Sequence, residues 1–591
     1  MATCRPQTLF EDYPGCPRLG PPPVQSLGQP GVLASLGVRD RSLARALMSG
    51  ALAVSGFPRF CRSGALERSL AVDTGTRPLP GPTFSAAVPL LDDPSTTDPF
   101  DRGGRLLQAL WETHADIRAG RFEPDRHGER LLESRGYLNL FGTRFEHVGG
   151  LFRVGKTPRT DTLLVCGRGR QHLVEGADPG TGAGVAALRE VLHRAWTDGT
   201  AVSPGPAVGR LSGAGQVTQR QGFARLLEDA GNRASYAALM SCFAVLCLDL
   251  DTRPDTHEAV ARAALIGNPR DRWYHASLQI VVFGNGTACL VCNPDAGLTG
   301  NVMMRAAQEL HRRARAPAAP GAGTASPRLR RLGWNVGRLD GPRIDADLAA
   351  VTDDQPATFD IDAFGRQRLG ALGLPPVELF VAGVQRVATR LWGRPVSISQ
   401  FVGSTAFGCG SHATAVVSTT ELARFLEAID TAPDGAAARA CLPAAVESQR
   451  RVCRTARSGI PLPVALSLFR GCGGALRRRW TGTVLDTLLL LLRHLDLDAG
   501  GLGRDVALSH PAVTPGVPLL GRPGVRLPYL TCFGLHYQVL EEGTRLTVMP
   551  GRDWRVSNRE LVAALGATLE ELVVQLSARP APPAQGRPGG G

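Results

Sequence analysis

Gly267-Asn268-Pro269-Arg270-Asp271-Arg272-Trp273-Tyr274, followed by Ser277-Leu278-Gln279-Ile280-Val281-Val282-Phe283, Gly284-Asn285-Gly286 and Ala288-Cys289-Leu290-Val291-Cys292, is the stretch on which the fold turns. Its second run is apolar and rich in β-branched residues, the composition of a buried strand. Gly-Asn-Gly supplies residues that tolerate a left-handed backbone, so it marks a hairpin turn, and Ala288–Cys292 is the returning strand. Just upstream, the continuous apolar run Phe243–Leu248 reads as a strand after a helix that begins near Phe223. Thr162–Val165 is a further strand, Arg105–Trp111 opens an amphipathic helix, and His257–Leu265 and Val302–Arg315 are helical.

Helices are expected downstream at Pro376–Leu391, Thr420–Ala428, Leu442–Ser458 and Val484–Arg493, then a hairpin-like pair, Leu535–Val539 with Arg545–Val548. Asn558–Leu576 closes the pattern as an amphipathic helix with Ser557 and Asn558 as capping candidates. Helices and strands are thus interspersed with hairpin signals, which places the chain in the α/β class with mixed sheets. The stretch Ala-Pro-Ala-Ala-Pro-Gly-Ala-Gly-Thr-Ala-Ser-Pro over 316–327 has the composition of a flexible connector. Residues 1–104 are Pro- and Gly-rich with short helical pieces such as Ser42–Met48, and the tail 578–591 is expected to be disordered.

The 591 residues are 43% hydrophobic and 20% charged, which suits a folded protein and excludes a disordered one. Sixty-six basic residues against 53 acidic ones leave a net charge of +13, which raises the question of nucleic acid. All of the basic residues but Lys156 are arginines. They cluster only in short runs, 311–315, 328–331 and 477–479, without interleaved aromatics. No specific nucleic-acid partner is expected from that pattern. Thirteen scattered cysteines and no secretory leader point to reduced thiols in the cytoplasm. Purely apolar runs such as Leu488–Leu492 are far short of a membrane span.

Four segments resemble the choline/carnitine acyltransferase family, in the family's order. Leu140-Phe141-Gly142-Thr143-Arg144 with Thr160-Asp161-Thr162-Leu163 is similar to its Phe-Gly-Thr-x-Arg stretch and the strand after it. Arg220-Gln221-Gly222-Phe223 through Asn232-Arg233 to Cys247-Leu248-Asp249 resembles a helix-and-strand segment ending in Cys-Leu-Asp. Residues 267–286 mirror its Asn-Arg-Trp motif and the strand and turn behind it. Leu372–Gly393 and Val446–Ser458 look like two helices of a second lobe.

That resemblance implies a two-lobed CoA-dependent acyltransferase fold of the chloramphenicol-acetyltransferase type. Residues 105–315 would be the first lobe and 328–577 the second, with 1–104 packed on the second lobe and a tunnel between the two. It implies a small-molecule acceptor, an acyl-CoA or acyl-carrier thioester donor, no metal, and one histidine acting as general base. A hydroxyl near pKa 16 needs such a base to attack a thioester at neutral pH, and imidazole titrates in the right range.

The resemblance fails where the chemistry sits. Counted from Gly286, the family's Glu-His-Ser/Thr falls on Asn293, Pro294 and Asp295, so the catalytic histidine is a proline, and no histidine occurs between His275 and His311. The family's Ser-Thr-Ser turn falls on Ser509-His510-Pro511. Its Gly-Arg-Thr-Glu falls on Gly410-Ser411-His412-Ala413, which loses the arginine that faces an acceptor carboxylate. Its Ser-Pro-Asp falls on Pro375-Pro376-Val377. The candidate catalytic residues are therefore Asp295, Ser509, His510 and His412, with Arg366 and Arg368 as candidate contacts to CoA phosphate. Cys289-x-x-Cys292 has zinc-like spacing but no second pair, so it reads as two core thiols; His275 reads as a structural hydrogen-bonding residue.

The expectation is a divergent bacterial member of the family acting on an acyl thioester or bulky small molecule in specialised metabolism. Two rivals stand beside it. One is an inactive relative that binds a small molecule or a partner protein. The other is a cyclisation or isomerisation directed by the same cavity.

Overall fold

The computed structural model describes residues 86–91, 96–178, 184–198, 208–316, 326–403, 412–431, 435–459, 505–510, 520–527 and 530–577, besides two residues at positions 49 and 50. The expected helices at 42–48 and 484–493 and most of the amino-terminal segment lie outside the described residues.

Seven strands form the first sheet: β1 (Ala86–Leu90), β2 (Thr162–Gly167), β3 (Arg170–Glu175), β4 (Ala244–Asp249), β5 (Leu278–Phe283), β6 (Ala288–Cys292) and β7 (Arg328–Arg331). Their order is β1-β6-β5-β4-β2-β3-β7. The central pairs β2–β4 and β4–β5 are parallel, and the remaining pairs are antiparallel. Buried on both faces, β4 and β5 have the near-continuous apolar sequences such a position demands. Gly286, at φ +80°, makes the β5–β6 turn, and a side chain there would strike the backbone of Thr96 and Thr97.

Six strands form the second sheet: β8 (Thr358–Ile361), β9 (Ile398–Gly403), β10 (His412–Val416), β11 (Val506–Ser509), β12 (Phe533–Val539) and β13 (Thr544–Pro550). Their order is β8-β13-β12-β11-β9-β10, with β9–β11 and β11–β12 parallel. That is the topology of β1 to β6 repeated strand for strand. The helix α1 (Pro99–Arg118) joins the first two strands of the first lobe, and α2 (Pro376–Trp392) those of the second; α3 (Asn558–Ser577) packs on α2. Each lobe has its own apolar core, the first from Ala87 to Ile344 with Leu520 added, and the second from Ile361 to Leu576. The chain is a two-lobed α/β protein with mixed sheets, as its sequence implies.

The lobe boundaries differ from those expected. Residues 86–90 sit at the edge of the first sheet rather than on the second lobe, and residue 104 falls inside α1. After the connector the chain returns to the first lobe, where β7 pairs with β3 and Leu332 and Ile344 join the first core. The crossing to the second lobe comes just before β8. The reason is local: Arg328-Leu329-Arg330-Arg331 reads as a basic cluster, yet on an edge strand one inward leucine and a backbone ladder suffice.

The short helix His257–Arg262 and the π-turn Ala263–Gly267 carry the contact between lobes. The Glu258 carboxylate accepts from the backbone N–H groups of Ala357 and Thr358, both at 2.8 Å. Arg262 donates to the carbonyls of Gln355, at 3.1 Å, and Asp353. On the other side Leu520 bridges to Ala87 on the outer edge of β1 and is buried in the first core.

Candidate functional site

At the end of β6, where the resemblance puts a catalytic histidine, the backbone forms a tight turn. Asn293 is fully buried; its N–H donates to Ser277 at 2.8 Å, and its Oδ1 accepts from the Asp295 N–H at 2.9 Å. Pro294 opens the 3-10 turn that this cap defines, and Gly297, at φ 79°, closes it. The three residues serve as cap, turn starter and turn residue. Asp295 is half-buried on this turn, and Pro294 offers no group that could carry a proton.

The second lobe is polar on one face of its sheet. Strand register places Thr358, Thr547, His536, Ser509, Phe401 and Thr414 side by side on one rung across β8, β13, β12, β11, β9 and β10. Neighbouring rungs point the opposite way and supply the core, with Leu508, Leu535, Tyr537 and Val548. The polar face turns toward the first lobe. Gly521 lies against it so closely that a Cβ there would stand 2.8 Å from the Cβ of His536, and the preceding residue is the Leu520 that bridges to β1.

This alternation separates Ser509 from its neighbour. Ser509 shares the lobe-facing side with Ala507, whereas the His510 ring packs on the helix side, 4.8 Å from that of Tyr537. There Phe380 of α2 stacks on Tyr537 at 4.0 Å. Among the described residues His510 Nε2 is buried without a hydrogen-bond partner. Burial and then the nearby Arg366 charge push its pKa down to about 4, leaving a neutral ring and a weak base at pH 7. His412 begins β10 in register with Gly403, two positions beyond the Ser509 rung. Arg366 opens a short exposed helix, while Arg368 forks onto Glu570 of α3 at 2.6 and 2.7 Å. Ser509 and His510 are therefore neighbours in sequence that serve opposite faces.

His536, Thr547 and Thr358 were missed. The signal was present: in the hairpin strand Leu535–Val539, the residues between Leu535, Tyr537 and Val539 are His536 and Gln538, the alternation of a two-faced strand.

Cys289 and Cys292 lie buried three residues apart on β6, so they face opposite sides of the sheet. Burial lifts the Cys292 thiol to about 12 and Cys289 higher still. Neither is expected to react with iodoacetamide in the native protein, and both should label only on unfolding, as read by mass spectrometry. Among the described residues no group of three or more His, Cys, Asp or Glu could hold a metal ion, and no helix is long and apolar enough to cross a membrane. A cavity of about 20 Å³ lined by Arg144, Cys242 and Trp273 has room for a single water rather than a substrate.

Two mixed sheets of one topology, with a polar face turned from one lobe to the other, make a two-lobed α/β protein. The sequence profile of the choline/carnitine O-acyltransferase family matches residues 79–460, and the chain belongs to that family. Comparison with curated proteins gives no match. Among solved structures, the first condensation domain of the CDA synthetase is similar at 14% identity and a TM-score of 0.36, covering 88% of this chain and 95% of that one. The epimerization domain from the third module of tyrocidine synthetase B follows at 9% identity and 0.34, covering 83% and 92%. The wax ester synthase/diacylglycerol acyltransferase from Marinobacter aquaeolei VT8 matches at 11% and 0.26, covering 51% and 72%.

Proposed function

We propose that this protein moves an acyl group from a thioester, carried by CoA or by a carrier protein, in the gap between its lobes, with catalytic residues other than the family's histidine. The observation that supports this most is the polar rung on the lobe-facing side of the second sheet. It sets the Ser509 hydroxyl and the His536 imidazole beside Thr358 and Thr547, whose hydroxyls meet at 3.4 Å, on the side that turns to the first lobe. A CoA donor would find its phosphate contact at Arg366 rather than Arg368, whose guanidinium is engaged by Glu570.

The second reading, an inactive relative that retains only binding, is favoured by Pro294. The two separate in one experiment with acetyl-CoA and octanoyl-CoA. Release of free thiol above the buffer rate supports transfer. A rise in melting temperature with octanoyl-CoA and no thiol release favours the binding-only reading.

A further inference from the structure

We propose that Tyr537 and His510 read a hydroxyl on the transferred acyl group, from a pocket on the helix side of the second sheet. The preferred donor is then a hydroxyacyl thioester rather than a plain hydrocarbon one. This rests on the thioester-transfer reading above and names the class of acyl group that the site favours.

The Tyr537 side chain is fully buried, and among the described residues its Oη has no hydrogen-bond partner. Phe380 stacks on its ring at 4.0 Å, and the His510 ring lies 4.8 Å away with Nε2 likewise buried and unpartnered. Buried polar atoms are satisfied in the great majority of folded proteins, so two orphans side by side mark a place that receives a polar group. Phenol and imidazole are natural partners for each other, yet no bond joins them. The His510 ring bonds its own backbone in the sense that favours a protonated ring, so Nδ1 donates to the carbonyl and Nε2 keeps a lone pair. Burial, with Cys453 and Glu378 close by, raises the Tyr537 phenol far above its ordinary range, so Oη keeps its proton. Glu378 itself is held by Arg450 Nε at 2.7 Å. A group that meets both orphans accepts from Oη and donates to Nε2; an alcohol does both from one atom, and a methylene does neither.

The sheet itself gives an acyl chain a way in. Strands β9, β11 and β12 run parallel, and Phe401, Ser509 and His536 share one rung. The central strand β11 stops at Ser509, whereas β9 continues to Gly403 and β12 to Val539. Among the described residues no strand lies between β9 and β12 beyond that rung. The sheet is therefore notched where the chain passes from Ser509, on the lobe-facing side, to His510, on the helix side. Tyr537 stands at this notch, one residue further along β12 than His536. A thioester lying in the gap beside Ser509 has its acyl chain pointed at the pair when the chain enters the notch. Phe380 on α2 and Cys453 on the helix Ala436–Arg457 give the pocket its less polar walls.

The test compares hexanoyl-CoA with β-hydroxyhexanoyl-CoA and ω-hydroxyhexanoyl-CoA by isothermal titration calorimetry on the full chain, with thermal unfolding of the free protein alongside. At least one hydroxylated thioester should bind about 10–100-fold more tightly than hexanoyl-CoA. Tyr537→Phe keeps the ring, removes the hydroxyl and should abolish that preference. Without ligand the same variant should melt no lower than the wild type, because it gives up only an unpaired buried hydroxyl. Equal binding of all three thioesters by the wild type overturns the pocket and leaves the transfer reading standing. A preference that survives in Tyr537→Phe overturns it too. So does a free variant that melts well below the wild type, since the hydroxyl is then already partnered within the fold. Binding of none of the three overturns the pocket together with the thioester reading on which it rests.

Discussion

Replacing Arg272 by alanine is expected to cost about 3–5 kcal/mol, measured by urea or thermal unfolding. Arg272 is fully buried, and its guanidinium meets Asp249, itself 4% exposed, at 2.7 Å. It also donates to the carbonyls of Ala264 at 2.8 Å, Ala263 at 2.9 Å and Asp271 at 3.3 Å. Removing it leaves a buried carboxylate unpaired and strips the π-turn of its partners, the costliest way to break such a site. Against a typical stability of about 5–15 kcal/mol, this is a large share. Lysine should not rescue it, because a point charge cannot reproduce the fork that reaches carboxylate and carbonyls together. The loss should spread to the lobe contact, since the turn that Arg272 ties down continues the helix bearing Glu258 and Arg262. A cost below about 1 kcal/mol would mean the pair behaves as a surface bridge, contrary to this account.

The same motif explains why the first lobe was legible. Trp273 and the strand behind it declare burial through composition, and β6 was bounded at Ala288–Cys292 from its turn and apolar run. The helix 300–315 and α2 were placed within two residues by their periodicity. The boundary between the lobes was not legible, because β1 and β7 are edge strands whose place depends on long-range pairing with β6 and β3. The candidate site was readable in part. Ser509 and His510 are adjacent letters, and only the alternation of β11 reveals that they point apart. Conversely His536 lies 27 residues from Ser509 in the chain and is brought beside it by parallel register, a pairing that a linear sequence carries no local mark of. The long helix at 436–457 begins six residues before its expected start because it runs through Pro443, where a proline reads as a stop.

A pH dependence of stability follows from His275. Its ring is buried among Phe152 at 4.7 Å, Phe223 at 5.0 Å and Trp273 at 5.1 Å. Its Nε2 lies 3.1 Å from Gln219 Oε1, and because the Gln219 amide nitrogen donates to the Ala214 carbonyl, that oxygen accepts and Nε2 carries the proton. Nδ1 is buried with no hydrogen-bond partner among the described residues. Protonation would place a charge and a second donor where neither is compensated. Burial, with a smaller contribution from His147, pushes the pKa down to about 3. The unfolded chain takes up its proton near pH 6.5, so acid favours unfolding. The stability contributed by the neutral ring is complete above about pH 6.5 and is lost progressively as pH falls toward 3. Between pH 7 and pH 5 this one residue should account for about 2 kcal/mol, and His510, held down to about 4, adds a loss of the same sign. His275→Gln can keep the donor to Gln219 and does not titrate. Its urea midpoint should fall less steeply than that of the wild type over this range, even if its packing makes it less stable at pH 7. An unchanged slope in that variant would place the acid sensitivity elsewhere and would mean that the His275 ring accepts its second proton in the folded lobe.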